Sequence, residues 1–269
     1  MPESNRRLLS ARKTRNTIKS TLEQILKDWL IIIPARLGST RLPRKPLQLL
    51  GGEPLISRVY ESIAPLKKDG ASIIVATDSE VVVKECIKRD IPTVLTDASH
   101  KSGSDRCFEV SKSRPHKYIL NVQGDEPFTS IKDLTNLINS FALANTDMGT
   151  MAYRSTNYES WQNPNTVKAI CNVHSKAIYF SRSPIPSRAH SQKEEEFSFL
   201  HHMGIYAFKK ESLARFCKLP QSHLEKTESL EQLRAIENEM SILVVEASKH
   251  SKGIDTPEDL QEANKFFKQ

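Results

Sequence analysis

Cysteine is scarce and scattered. Cys86, Cys107, Cys171 and Cys217 stand far apart with no Cys-x-x-Cys pair, so neither a zinc knuckle nor a disulfide framework is indicated. Of the eight histidines only His201 and His202 are adjacent, and none forms a His-x-x-x-His pair, so metal binding through imidazole has no support. Long apolar runs are absent too. The longest, Trp29 to Ile33, is far short of the roughly 20 residues that span a bilayer, and no signal-peptide core precedes a cleavage-like site. Internal repeats and low-complexity tracts are also missing, as are aromatic interleaving and any nucleic-acid-binding module. These absences lead us to expect a soluble, cytoplasmic protein with neither a membrane nor a nucleic acid as partner.

What remains suits one large α/β domain: 269 residues, 38% hydrophobic and 26% charged, enough to bury a sizeable core. The net charge of +7 is uneven, because residues 1–28 carry seven Lys/Arg against three Asp/Glu. That segment is rich in Arg, Ser and Thr, and Ile18, Leu22, Ile25, Leu26 and Trp29 have helical spacing. A solvated extension, a targeting presequence and a nucleic-acid or membrane-surface arm all fit this composition; the solvated extension is the expectation. The domain proper is expected over 29–269.

From there the chain alternates. Strands are expected at Leu30–Pro34, Ser72–Ala76, Thr93–Leu95, Tyr118–Val122, Gly149–Tyr153, Val167–Val173, Gly204–Phe208 and Ile242–Val245. Helices are expected at Pro54–Pro65, Ser79–Arg89, Gly103–Ser113, Ile131–Asn145, Lys210–Lys218, Leu224–Glu239 and Pro257–Phe267. Strand followed by helix, repeated, predicts a Rossmann-like, mostly parallel sheet covered on both faces. Ligands of such sheets sit along the carboxyl edge. Residues 181–199 break the alternation with Pro184, Pro186 and the charge run Lys193–Glu196, and read as a small projecting excursion.

Two segments carry chemistry. After Ile31-Ile32-Ile33 come Arg36, Ser39, Thr40, Arg41, Arg44 and Lys45 with one glycine, Gly38. This is neither a Walker A loop nor a Gly-x-Gly-x-x-Gly turn. Its cations and hydroxyls are instead suited to gripping a polyphosphate, although alone it is also an ordinary basic loop. Pro43 and Pro46 restrict where Arg44 and Lys45 project. The second segment, Asn121-Val122-Gln123-Gly124-Asp125-Glu126-Pro127, places Asp125 just past a strand end, where a hard cation such as Mg²⁺ finds the carboxylate oxygen it prefers. Gly-Asp is equally a common turn pair. Near the C-terminus, Thr256, Pro257 and Asp259 have capping work, which leaves Asp255 either an ordinary loop residue or free to meet Asp125 across a shared metal. His202, just before a strand, is placed to donate to a substrate hydroxyl or carboxylate.

The residues then resemble a known family. Pro34-Ala35-Arg36, Ser39-Thr40-Arg41-Leu42-Pro43, Lys45-Pro46-Leu47, Val75-Ala76-Thr77-Asp78, Ser102-Gly103, Asn121 to Pro127, Asn163-Pro164-Asn165, Tyr179-Phe180-Ser181-Arg182, His202-x-Gly204-Ile205-Tyr206, Leu230 to Arg234 and Asp255 to Asp259 are similar, in order and separation, to the 3-deoxy-manno-octulosonate cytidylyltransferases, the CMP-Kdo synthetases. The resemblance implies a homodimeric enzyme that transfers CMP from CTP to the anomeric hydroxyl of 3-deoxy-D-manno-octulosonate (Kdo), releasing pyrophosphate, for lipopolysaccharide synthesis. It implies that Arg36, Ser39, Thr40, Arg41 and Lys45 hold the triphosphate, with Thr77, Ser102, Gly103 and Gln123 around the nucleotide. Asp125 and Asp255 would hold Mg²⁺. Gln123, Arg182, His202, Tyr206, Glu231 and Gln232 would form the Kdo pocket. In this reading the catalytic set is Arg36, Lys45, Asp125 and Asp255.

The chain departs from the family pattern where Lys101 replaces Gln, Ser104-Asp105 replaces Thr-Glu, Arg44 replaces Gly and His201 replaces Arg. These departures leave sugar choice less secure than reaction type, with 8-amino-8-deoxy-Kdo as the alternative acceptor. CMP-acylneuraminate synthetases carry Asn after the loop lysine, where Pro46 stands here. A glycosyltransferase would want an Asp-x-Asp motif, which Asp125-Glu126-Pro127 does not supply.

Overall fold

The computed structural model of the protein describes residues 24–189 and 197–267. The extension up to residue 23 and the charge run Lys193–Glu196 lie outside the described residues. The chain runs through β1 (Trp29–Pro34), β2 (Leu49–Leu50), β3 (Glu53–Pro54), α1 (Leu55–Ile63), α2 (Pro65–Lys68), β4 (Ser72–Thr77), α3 (Glu80–Ile87) and β5 (Thr93–Leu95). Next come α4 (Gly103–Lys112), β6 (Tyr118–Asn121), α5 (Ile131–Leu143), β7 (Met148–Ser155), α6 (Tyr158–Gln162), β8 (Lys168–Cys171) and β9 (Ala177–Ser181). It finishes with β10 (Phe199–Lys209), α7 (Lys210–Lys218), α8 (His223–Glu228), α9 (Leu233–Glu237), β11 (Ile242–Ala247) and α10 (Pro257–Phe266).

The main sheet has the order β11-β7-β10-β6-β1-β4-β5. All neighbours on that path are parallel except β10, which runs antiparallel to both β6 and β7. The expected mostly parallel sheet is therefore present. β1 lies at its heart, with Leu30 opposite Ser72 on one side and Ile119 on the other. Burial on both faces explains its unbroken apolar sequence. Because strand side chains alternate, Trp29, Ile31 and Ile33 join the core under α1, α3 and α5, while Leu30 and Ile32 join the core under α4 and α7. Trp29 stacks on Tyr118 at 5.0 Å and meets Phe141 edge-on at 5.9 Å; burying such a ring stabilises by roughly 2–3 kcal/mol. Leu26 is also fully buried in this core.

Three features differ from the sequence expectation. β9, read as part of no strand, pairs antiparallel with β8 as a hairpin, with Ala169 opposite Phe180. β10 starts at Phe199 rather than Gly204, long enough to pair with β6, β7 and β8, and shifts register between Met203 and Tyr206. The single helix expected at Leu224–Glu239 is two short ones. Ser229 adopts the left-handed conformation at φ 53° and ends α8, and the turn 229–232 leads into α9.

Candidate active site

The carboxyl ends of β1, β4 and β6 meet at one edge, and the loops they feed form the site. After β1 the ladder continues for one residue, Ala35 N–H donating to Ala76 O at 2.8 Å. The loop then turns outward and is pinned by buried Leu42 and Pro46. Arg36, Thr40 and Arg41 stay exposed. Arg44 carries the chain through a left-handed residue, φ 52°, a conformation that costs a side-chain-bearing residue about 1 kcal/mol and favours glycine. That geometry fits the glycine that the resemblance implies at this position. The turn swings Lys45 inward.

Past β6, Gly124 lies directly against the first loop: a Cβ here would stand 2.7 Å from Pro34 O. The close approach that requires glycine here is to backbone. Asp125 and Asp255 converge from loops 130 residues apart in sequence, and the Lys45 ammonium sits between them, Nζ 2.7 Å from Asp125 Oδ2 and 2.7 Å from Asp255 Oδ1. Arg41 Nη2 reaches the same Asp255 oxygen at 3.0 Å. Burial alone would lower the Lys45 pKa, but Asp125 and then Asp255 outweigh it and hold the ammonium charged. Among the described residues no three His, Cys, Asp or Glu side chains converge as a metal cage. Two carboxylates already gathered around one cation nevertheless fit Mg²⁺, which takes one or two carboxylates and completes its shell with phosphate oxygens and water.

Glu126, which the sequence reading did not single out, ties these loops together. Its Oε2 accepts Ser251 Oγ at 2.6 Å, and Ile254 N–H donates to Asp125 O at 2.9 Å. Burial is the main cause that pushes its carboxyl up to about 7, with Ser251 opposing and Asp125 adding to it. Between pH 4.5 and about 7 the folded chain holds a proton that the unfolded chain has released, so stability falls as pH rises through that window. Thermal unfolding of the metal-free protein is expected to show a loss of up to about 3 kcal/mol across it. Glu126→Gln should flatten this slope; an unchanged slope in that variant would place the titrating group elsewhere.

One wall of the site is the start of α4. Ser102 caps it and shares a reciprocal capping box with Asp105, so the Ser102 hydroxyl is already committed to the helix. Gly103 packs under Pro34, where a Cβ would come 3.1 Å from Cγ. On the far side Gln123 Nε2 donates to Gly204 O at 3.0 Å and Tyr206 Oη donates to Gln232 Oε1 at 3.1 Å. Glu231 is half-buried at this wall, and desolvation raises its pKa.

One cleft of about 470 Å³ joins these parts. Of the residues expected at the site, Arg36, Ser39, Thr40, Arg41, Lys45, Ser102, Gly103, Gln123, Asp125, Tyr206, Glu231, Gln232 and Asp255 line it. Three do not. Thr77 is fully buried, its Oγ1 accepting Ser79 N–H at 3.2 Å. His202 is buried against Phe180 and hydrogen-bonded to Thr150 at 3.0 Å, and burial depresses it to about 3, so it is neutral. Arg182 donates to the carbonyls of Glu228, Pro164 and Ser229 at 2.8, 3.0 and 3.4 Å, behind the wall rather than in it. Arg106, Asn121 and Ser229 line the cleft without having been singled out; Ser229 gave no signal, since only the break between α8 and α9 brings it there.

The Cytidylyltransferase family profile matches residues 30–242. A 3-deoxy-manno-octulosonate cytidylyltransferase of Elusimicrobium minutum is 40% identical over 243 residues, covering 90% of this chain and 98% of its own. The enzyme of that name from Wolinella succinogenes is 42% identical over 245 residues, covering 88% and 99%. A solved structure of CMP:2-keto-3-deoxy-manno-octonic acid synthetase complexed with CTP superposes with a TM-score of 0.83 at 34% identity, over 90% of this chain and 98% of that one. With its cationic loop and paired carboxylates on one sheet edge, the chain belongs to the 3-deoxy-manno-octulosonate cytidylyltransferase family.

Proposed function

We propose that the cleft transfers CMP from CTP to the anomeric hydroxyl of Kdo, giving CMP-Kdo and pyrophosphate. The observation that carries this reading is the polarity of the cleft. Lys45 between two carboxylates marks one end, and Gln123, Tyr206, Glu231 and Gln232 wall the other. The first end meets a triphosphate, the second a polyhydroxylated acid.

In the reaction the sugar hydroxyl oxygen bonds to the α-phosphorus, the hydroxyl proton leaves, and the bond to pyrophosphate breaks. No protein nucleophile is needed; the task is alignment and charge neutralisation. Arg36 and Arg41, exposed on the loop, meet the outer phosphates. Lys45, held charged and close to where they lie, faces the negative charge that grows on the leaving group. Gln123, fixed by Gly204, orients an acceptor hydroxyl, and Tyr206 and Gln232, bonded to each other, present a preset pair of hydrogen-bonding groups. Mg²⁺, held by Asp125 and Asp255, would supply Lewis-acid neutralisation of the phosphate oxygens. His202 and Thr77 act from behind: His202 packs 5.6 Å from the Tyr206 ring and Thr77 braces the end of β4.

Incubation with CTP, Mg²⁺ and a panel of Kdo, 8-amino-8-deoxy-Kdo and sialic acid tests this. Pyrophosphate release is expected with Kdo; no release with any of the three sugars would sink the reading. A homodimer in the cytoplasm is part of the same proposal. The dimer is supported by β9, which among the described residues pairs only with β8 and exposes Ile178. No helix among the described residues is long and apolar enough to cross a membrane.

A further inference from the structure

Asp78 and Arg106 have no task in the chemistry above, yet they join the two halves of the nucleotide end. Asp78 follows β4 and uses both carboxylate oxygens. Oδ1 accepts Leu37 N–H at 3.1 Å and Oδ2 accepts Arg106 Nη2 at 3.0 Å. Arg106 is only 3% exposed. Its other terminal nitrogen donates to Thr96 Oγ1, and to Asp97 O at 3.4 Å. A guanidinium this deep is tolerated because its donors are taken up on two sides.

The placement is what matters. Leu37 directly follows Arg36 in the cationic loop, and Arg106 lies one helical turn after the Ser102 cap, its N–H donating to Ser102 O. Among the described residues, and apart from the local Leu42 N–H to Ser39 Oγ bond at 3.4 Å, loop positions 36–41 are bonded to the rest of the chain at two places, Leu37 to Asp78 and Arg41 to Asp255. The second uses a carboxylate on an exposed edge, whereas the first uses a hydrogen bond to a charged, partly buried acceptor and is the stronger kind of anchor.

We infer that Asp78 and Arg106 are positioning residues for the donor nucleotide: the pair fixes the separation between the cationic loop and the N-terminus of α4, so that the triphosphate and nucleoside ends of one ligand are gripped at a set spacing. The acceptor wall depends on other bonds, Gln123 to Gly204 and Tyr206 to Gln232, neither of which touches the pair. Its loss is therefore selective. Positioning of this kind lowers affinity when a loop must be ordered by the ligand itself.

The inference rests on CTP being the donor, so the experiment separates the two. Binding of CTP to the full chain is measured by calorimetry with Mg²⁺ and without sugar, followed by steady-state kinetics with each substrate varied. Asp78→Asn keeps an acceptor for Leu37 but removes the charge facing Arg106. It is expected to weaken CTP binding about tenfold and raise the KM for CTP to match, with kcat at saturating CTP and the KM for Kdo each within about twofold of wild type. Arg106→Lys, which keeps the ionic partner without the fork, should lose only about threefold. It serves as the measured variant if Asp78→Asn lacks the wild-type circular dichroism spectrum. CTP affinity within twofold of wild type in both variants, or equal rises in both KM values, overturns the inference while leaving the function intact. A wild-type chain that binds no CTP overturns both.

Discussion

Asp125→Asn and Asp255→Asn are each expected to reduce kcat/KM for CMP transfer about a thousandfold, the equivalent of roughly 4 kcal/mol of transition-state stabilisation. The amide keeps the shape and one oxygen but removes the negative charge. The proposed two-carboxylate Mg²⁺ site would have no third side chain to compensate, since no group of three potential ligands converges among the described residues. The two variants are not equivalent in structure. Among the described residues the Asp125 carboxylate bonds Lys45 alone, whereas that of Asp255 also holds Arg41, so Asp255→Asn should raise the KM for CTP more than Asp125→Asn does. Pyrophosphate release by protein with wild-type circular dichroism measures both. A rate within tenfold of wild type in either variant removes that residue from the metal assignment.

Lys45→Met comes second, with an expected loss of about a hundredfold or more in kcat/KM. Methionine replaces the aliphatic stem, so packing changes little and the missing ammonium dominates. What distinguishes the proposed role is how the loss divides. A lysine that faces charge developing on the leaving group lowers kcat, whereas one that only attracts CTP raises KM and leaves kcat alone. Steady-state kinetics with CTP varied at saturating Kdo reads this directly. An unchanged kcat would reassign Lys45 to ground-state binding. The close pairing with two carboxylates makes the ammonium's position a property of the protein before any ligand arrives, as preorganised electrostatic stabilisation requires.

The end of the cleft around Lys45 was legible in the sequence because its residues sit where parallel strands stop. Ile31 to Ile33 and Tyr118 to Leu120 announce strands, and the polar residues that follow must lie at the carboxyl edge. Asp255 was legible by subtraction, since Thr256 and Asp259 take the capping roles and leave it over, and the capping box is present. The acceptor wall was less legible. Leu224–Glu239 contains no glycine or proline, so nothing marks the left-handed Ser229 that divides it; only tertiary contacts, with Glu228 accepting Ser181 Oγ at 2.6 Å and Arg182 N–H at 2.9 Å, hold that break. His202 and Thr77 matched family motifs, but a motif does not state which way a side chain faces. Their burial follows from strand alternation and from the register shift between Met203 and Tyr206. Arg106 was hidden for the opposite reason, because a charged residue on a helix ordinarily reads as solvated surface.

The break at Ser229 separates how freely the two ends of the cleft can be remodelled. The donor end is made of strand termini locked backbone to backbone, down to the 2.7 Å that a Cβ on Gly124 would leave to Pro34 O, so little there tolerates insertion. The turn 229–232 hangs between two short helices and is secured from outside by Arg182 and Glu228. On the proposed reading of the cleft, lengthening or re-sequencing that turn is expected to alter what the cleft accepts without disturbing what it activates, which makes it the place to engineer a cytidylyltransferase for a different acidic sugar.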